Sequence, residues 1–596
     1  MEKNYRLWDS VLLPLKYSPL IAILIAFFDI CLGVIPTLQT FAVARFIDSA
    51  IKLASKEVKY QQVMLWIMVL IVLIAIMWLS RCIKNLMAAR LELNLRKNFR
   101  MQITQKRSKL KYFYIEDSST WDLISRISEK PETRLKNAYV SFLDFLALIV
   151  QISGLLILFI MQVWQIAIVM LLIVIPLFVI SIKSGKESYN VKLETQKYHR
   201  RHEYLADILI SRDATQERVT FGYSDGICNM WHQFYEKARK IELRTKAKWF
   251  VRSKSGGIVT TCIAVIVSLF LIEPVLEKII TTGMFMSLVN STYSLVDTMV
   301  WSLVTYVELI ANNNEYMKEF DKFTKLEEVQ EEAENLNSNK IIFESIEFCD
   351  VKFKYPGTDK YILNGFSFKF ENGLNYALVG GNGAGKTTLV KILTCLYDNY
   401  EGTILLNGIN IKEYNSEDIK KIFTTVFQDY AKYSLSIKDN IKIGHLEEYN
   451  ELDDEKIEKI VKRVGLDTKL YQNKEGLETK LGKIYKDGQD ISGGQWQKIA
   501  LARAVVHDAQ LCIFDEPTAA LDPISESNLY NEFFNISKGR TIILISHRLG
   551  STKIADKILV LNKGKLFEEG THQQLVEANG IYANMYESQR SWYGEV

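Results

Sequence analysis

Apolar residues are gathered into six long runs in the first half of the chain, at about 12–46, 63–79, 140–160, 166–182, 257–272 and 283–310. Each is near the ~20 residues that a helix needs to cross a hydrocarbon layer. The first run is too long for the apolar core of a signal peptide and lacks a convincing cleavage site, so it reads as a retained span. With their flanks the runs predict helices over about 12–46, 61–110, 135–162, 164–205, 240–276 and 283–322. Residues 81–109 keep helical apolar spacing through Leu86, Leu91, Leu93, Leu95 and Phe99, which extends the second helix well past its apolar part. After a strongly charged stretch, 318–340, strand-like runs alternate with helical ones. The predicted architecture is an all-α six-helix transmembrane domain over 1–325, a linker over 326–340 and an α/β domain over 341–596.

Connection lengths and charge predict orientation. The connections after the second and fourth runs are long and basic, the first carrying Arg81, Lys84, Arg90, Arg96, Lys97, Arg100, Lys106 and Arg107. Positive charge stays inside, which puts these connections, both termini and the second domain in the cytoplasm. The basic residues themselves read as a solvated face near anionic lipid headgroups. Two stretches where the chain reverses, 112–121 and 214–223, mix aromatic and polar residues; they are plain turns or contacts for a cytoplasmic domain. Among the acids within apolar runs are Asp29, Asp297 and Glu308. Such groups either pack against a polar partner on another helix or line a pathway that favours a cationic or amphipathic cargo.

Composition narrows the chemistry. A net charge of +4 over 596 residues does not point to nucleic acid. The seven cysteines form no CxxC pair and read as small buried apolar residues in a reducing compartment, and the seven histidines show no metal-ligand spacing.

The candidate chemistry begins at Gly380-Gly381-Asn382-Gly383-Ala384-Gly385-Lys386-Thr387-Thr388, between a short apolar strand and a helix start. The spacing G-x-x-x-x-G-K-T lets backbone N–H groups converge on one anion, with the helix N-terminus adding its positive end. Lys386 would reach the terminal phosphates, and the Thr387 hydroxyl would bind Mg²⁺. Leu511-Cys512-Ile513-Phe514-Asp515-Glu516 is an apolar strand ending in two acids. Asp515 suits Mg²⁺, and Glu516 suits a general base for the attacking water.

Together with Phe427-Gln428-Asp429, Ser492-Gly493-Gly494-Gln495, Ala520-Leu521-Asp522 and His547, this order resembles an ATP-binding cassette exporter of the half-transporter layout. The resemblance implies ATP-driven export by a dimer. It makes Tyr355 the adenine-stacking aromatic, Gln428 a sensor of Mg²⁺ and water, and His547 a contact to the γ-phosphate. Ser492, Gly493, Gly494 and Gln495 would close on ATP held by the opposite chain, and Asp522 would link the two sites. With Glu516 and His547 both present, a homodimer in the cell membrane is implied. Around Gln428 and Gly493 the chain is most similar to bacterial exporters of ribosomally made peptides, the lantibiotic transporters among them. A multidrug or lipid exporter of the same architecture and a non-transporting membrane ATPase are the other readings. The first span begins almost at once, without room for the leader protease that some peptide exporters carry, so a separate leader peptidase or modification enzyme is an expected partner. Such exporters often carry acids ahead of the signature serine. Here Thr479-Lys480-Leu481-Gly482-Lys483 has lysines instead, which suggests Glu116, Asp117 or Glu217 as partners of reversed charge.

Overall fold

The computed structural model describes residues 4–162, 164–212, 214–298, 302–329, 341–445, 452–470, 475–516 and 539–593. It divides into two compact units, Met1–Lys109 with Ser119–Glu327, and Leu110–Ser118 with Glu328–Val596.

Helices α1 (Asp9–Tyr17), α2 (Pro19–Ala54), α3 (Tyr60–Leu95) and α4 (Met101–Lys109) come first, and α5 (Tyr112–Glu116) belongs to the second unit. The first unit resumes at Ser119, within α6 (Ser118–Ser128), and continues with α7 (Pro131–Gln162), α8 (Trp164–Ile210), α9 (Thr215–Phe221), α10 (Ser224–Leu276), α11 (Thr282–Thr298) and α12 (Val304–Thr324). The apolar run expected from residue 12 is split at Ser18. Ser18 adopts φ −150°, ψ 66°, and Pro19 starts α2, where its missing N–H leaves nothing unsatisfied. Among the described residues three helical stretches are long and apolar enough to cross a membrane: Pro19–Ala54, Tyr60–Lys109 and Pro131–Gln162. Large apolar side chains stand exposed along them, among them Leu20, Met68, Ile71, Trp78, Leu79 and Ile160, the pattern of a lipid-facing surface. Glycines let these helices approach closely: a Cβ on Gly33 of α2 would sit 2.6 Å from the Ala147 carbonyl oxygen of α7.

Three basic residues expected on a solvated face are otherwise engaged. Lys84 is buried on α3, 2.5 Å from Asp29 of α2 and paired as well with Asp144 of α7. Asp29 is thus held in an ion pair that ties three helices together. The reason is desolvation: a carboxylate 2% exposed needs a cation beside it. Below it the helix passes through one π turn, Arg96–Arg100, and both of those arginines reach the buried Glu132 of α7, at 3.3 and 3.1 Å. Lys84→Ala strands two carboxylates, so it should destabilise the helical unit by roughly 3–5 kcal/mol. Thermal unfolding in detergent would read this as a lowered midpoint, with much of the loss recovered when Asp29→Asn and Asp144→Asn are added. Of the other two acids, Asp297 lies near the end of α11 and Glu308 is half-buried on α12. The cysteines are not uniformly buried: Cys82 and Cys228 are exposed, and only Cys512 is fully enclosed among the described residues.

The second unit contains two sheets. β1 (Ser345–Phe353), β2 (Leu363–Glu371), β4 (Glu401–Leu406) and β5 (Ile409–Asn410) form an antiparallel sheet in the order β2-β1-β4-β5. β3 (Asn375–Val379), β6 (Phe423–Val426), β7 (Leu511–Asp515), β8 (Thr541–Ile545), β9 (Lys557–Asn562) and β10 (Lys565–Gly570) form the other, in the order β10-β9-β3-β8-β7-β6. Neighbours from β9 to β6 are parallel. β7 and β8 are buried at every position, which is why they read as unbroken apolar runs. Phe348, Phe366 and Phe370 pack with Tyr376, Leu389 and Ile543 in a core that joins both sheets.

Candidate nucleotide site

The strand order builds the site. Because β3, β8, β7 and β6 are successive parallel neighbours, their C-terminal ends lie along one edge, where open α/β sheets bind ligands. From that edge emerge, side by side, the glycine loop after Val379, His547 after Ile545, Glu516 after Asp515 and Gln428 after Val426. They enclose a cavity of about 660 Å³ whose lining includes Tyr355, Asn382, Lys386, Gln428, Glu516 and His547. Gly383, Ala384, Gly385, Thr387 and Thr388 complete the phosphate-loop wall.

Within the loop Gly380, Gly383 and Gly385 have φ of +151°, +76° and +106°, a backbone that side chains with a Cβ rarely adopt. A Cβ on Gly385 would also lie 2.8 Å from Leu363. Helix α13 (Lys386–Leu393) begins directly after the loop, so its first N–H groups face the cavity. Lys386 is folded back across the loop, its Nζ donating to the Gly380 and Gly381 carbonyls at 2.9 and 3.2 Å. Burial holds its pKa below the usual lysine range, against the pull of Glu516 and Asp515.

The two acids differ. Asp515 is 1% exposed, and both its oxygens lack a well-formed hydrogen bond, with the Thr387 hydroxyl beside them. Burial, then the neighbouring Glu516 charge, pushes its pKa up to about 6. A buried carboxylate without a partner next to a hydroxyl fits a hard divalent cation such as Mg²⁺. Glu516 instead takes part in a polar cluster: Gln428 Nε2 donates to its Oε2 at 3.0 Å, and His547 Nε2 lies 2.6 Å from its Oε1. Its backbone, at φ +47°, is pinned by an N–H bond to the Ile545 carbonyl, 3.0 Å. That strained conformation aims the carboxylate at the cavity. Tyr355 stands at the other side, its hydroxyl 3.0 Å from Thr388 Oγ1.

Ser492, Gly493, Gly494 and Gln495 do not line this cavity. Ser492 caps α17 (Gly493–Val506), its Oγ accepting from the Gln495 N–H at 3.3 Å. Tyr430, two residues past Gln428, donates to the Gly493 carbonyl at 2.8 Å, a link that no sequence motif announced. Asp522 lies outside the described residues.

Segment 110–118 packs on this unit as a small docking helix. Glu116 pairs with Lys391 of α13 at 2.8 Å and accepts from the Tyr397 hydroxyl, while Lys111 reaches Asp398 at 3.0 Å. The reversed-charge partnership expected for the lysines before the signature serine is therefore corrected. Lys480 pairs with Asp487 at 3.1 Å and Lys483 with Asp490 at 2.6 Å, acids only seven residues away that cost less ordering to reach. In the first unit α9, the second of the two aromatic stretches, has no buried residue, and Val219 and Phe221 are exposed.

A family model described as ABC transporter matches residues 363–519. The chain is similar to the subtilin transport ATP-binding protein SpaT of Bacillus subtilis, 29% identical over 571 residues that cover 94% of this chain and 90% of that one. It is also similar to an ATP-dependent lipid A-core flippase of Idiomarina loihiensis, 28% identical over 502 residues covering 83% of each. Among solved structures, a bacterial Atm1-family ABC exporter with ATP bound shares the fold, with a TM-score of 0.78 at 20% identity over 96% of this chain and 98% of that one. Residues 363–519 thus carry an ABC transporter domain, the chain as a whole has the fold of an ABC exporter with one helical half and one cassette, and its ATP hydrolysis is coupled to transport.

Proposed function

We propose that two copies of this chain pair to export a ribosomally made, lantibiotic-like peptide across the cell membrane, with each ATP held between the phosphate loop of one copy and Ser492–Gln495 of the other. The observation that carries the paired site is the division of donors. Gln428, Glu516 and His547 converge on the phosphate-loop cavity, while the capped N-terminus of α17 lies outside its lining. An anion bound by the loop alone would leave that second helix end without a partner charge.

In this reading Tyr355 stacks on adenine, and the loop amides with Lys386 hold the phosphates. Thr387, Gln428 and Asp515 hold Mg²⁺, which when bound neutralises phosphate charge. Glu516 takes a proton from the attacking water, and Gln428 orients that water. His547 contacts the γ-phosphate, and Asp522 carries the state of one site to the other. Ser492, Gly493, Gly494 and Gln495 close from the partner copy and release after hydrolysis. The helical half, with both termini cytoplasmic, crosses the membrane six times over 1–325, and 326–340 serves as the linker to 341–596.

The docking helix carries the coupling, since 110–118 continues directly from α4 of the helical unit. Reversing one charge, Glu116→Lys, sets two cations together and should lower cargo-stimulated hydrolysis about 5-fold, on the scale of ~1 kcal/mol for a partly exposed pair. Adding Lys391→Glu should restore most of it; no restoration would remove the pair from the coupling path.

For the cargo, the match to a subtilin transport protein over nearly the full length supports a peptide. The test is uptake into proteoliposomes of peptides encoded beside this gene. ATP-dependent accumulation of one such peptide is expected. Stimulation by lipids or drugs alone would overturn the cargo reading while leaving the exporter intact.

A further inference from the structure

A second cavity, about 410 Å³, lies inside the helical unit between α2, α3, α7 and α11. Its apolar wall includes Leu70, Ile74 and Met77 of α3. Its polar wall includes three carboxamides, Gln39 of α2, Gln151 of α7 and Asn290 of α11. They lie roughly 22, 16 and 12 Å from the nearer ends of their helices at 1.5 Å per residue.

The hydroxyls beside them are engaged: Thr40 Oγ1 lies 2.6 Å from Ser291 Oγ, and Ser287 donates to the Thr40 carbonyl. The carboxamides differ. Among the described residues none of the three has a hydrogen-bond partner within the chain, although each carries two donors and an acceptor. Gln39 and Gln151 are half-buried and Asn290 is exposed, so all three keep free hydrogen-bonding groups on the cavity for a polar ligand.

We propose that this cavity binds an uncharged stretch of cargo peptide backbone through Gln39, Gln151 and Asn290, an inference that rests on the peptide reading above. The chemistry selects this ligand. A carboxamide presents a donor and an acceptor together, which matches the N–H and C=O of an extended backbone. Among the described residues no charged side chain lines the cavity, so there a lipid phosphate finds no cation and a cationic drug no acid. Neither Asp29 nor Glu308 is among the lining residues.

The test uses the full chain in nanodiscs and reads ATP hydrolysis over each preparation's own unstimulated rate. The probes are a neutral decapeptide of Gly, Ala and Ser and the same peptide with alternate backbone nitrogens methylated. For the unaltered chain, methylation should raise the half-maximal concentration about 10-fold, the scale of two lost hydrogen bonds. Gln151→Leu with Asn290→Leu should raise it similarly for the unmethylated peptide and erase the discrimination. Gln151→Glu, which keeps the side-chain length, should shift preference towards a lysine-containing decapeptide. Stimulation of the unaltered chain that none of these variants alters would overturn the cavity's role and leave peptide export standing. No stimulation of the unaltered chain by either decapeptide would also overturn the cavity's role, while peptide export stands or falls on the uptake assay.

Discussion

Glu516→Gln is expected to lower ATP turnover by about 10²-fold or more, the scale of a lost general base, while ATP still binds. Glutamine keeps the shape and can still hydrogen-bond Gln428 and His547, the two groups that hold Glu516 at 3.0 and 2.6 Å. It cannot accept a proton from water. The positive φ at this position is equally strained for either residue, so the substitution changes chemistry and not the fold. Bound nucleotide should therefore accumulate, and the paired state should persist in ATP. Single-turnover hydrolysis measured beside nucleotide retention separates the two effects. Near-normal turnover would remove Glu516 from the chemistry.

Ser492→Arg should be as damaging to turnover, again about 10²-fold, although Ser492 lines no part of the phosphate-loop cavity. Its stability cost is small by comparison. Ser492 caps α17 with one bond at 3.3 Å, and losing such a cap costs about 1 kcal/mol. A variant that unfolds at nearly the same temperature and binds ATP normally, yet barely hydrolyses it, would locate the loss at the closing surface. Thermal shift, nucleotide affinity and turnover on one preparation make the distinction.

How much of this was legible in the sequence depended on distance along the chain. The phosphate loop and the Asp515-Glu516 pair were plain because each is contiguous, with the strand, turn and helix signals in one short stretch. Their assembly was not, because it depends on β3, β8, β7 and β6 being neighbours, and strand order is a tertiary fact. The docking contact joins Glu116 to Lys391 across 275 residues, and no periodicity marks either one. The lysines at 480 and 483 suggested a distant partner, but acids seven residues on satisfy them first. Lys84 read as surface because it follows an apolar run among other basic residues; only the packing of α2 and α7 against α3 reveals two carboxylates waiting for it. The acids in the apolar runs drew attention by their charge. The three carboxamides were just as visible, but nothing in the sequence said that they share one cavity.

The shared site is tested most directly by mixing two inactive chains. Lys386→Ala loses the phosphate grip and Ser492→Arg loses the closing surface, so each alone should hydrolyse almost no ATP. A pair made of one of each keeps one intact site, formed by the phosphate loop of the Ser492→Arg chain and Ser492–Gln495 of the Lys386→Ala chain. Random pairing of equal amounts should restore about a quarter of the unaltered rate, since half of all dimers are mixed and each carries one of two sites. A mixture that hydrolyses no more ATP than its inactive components would contradict the account.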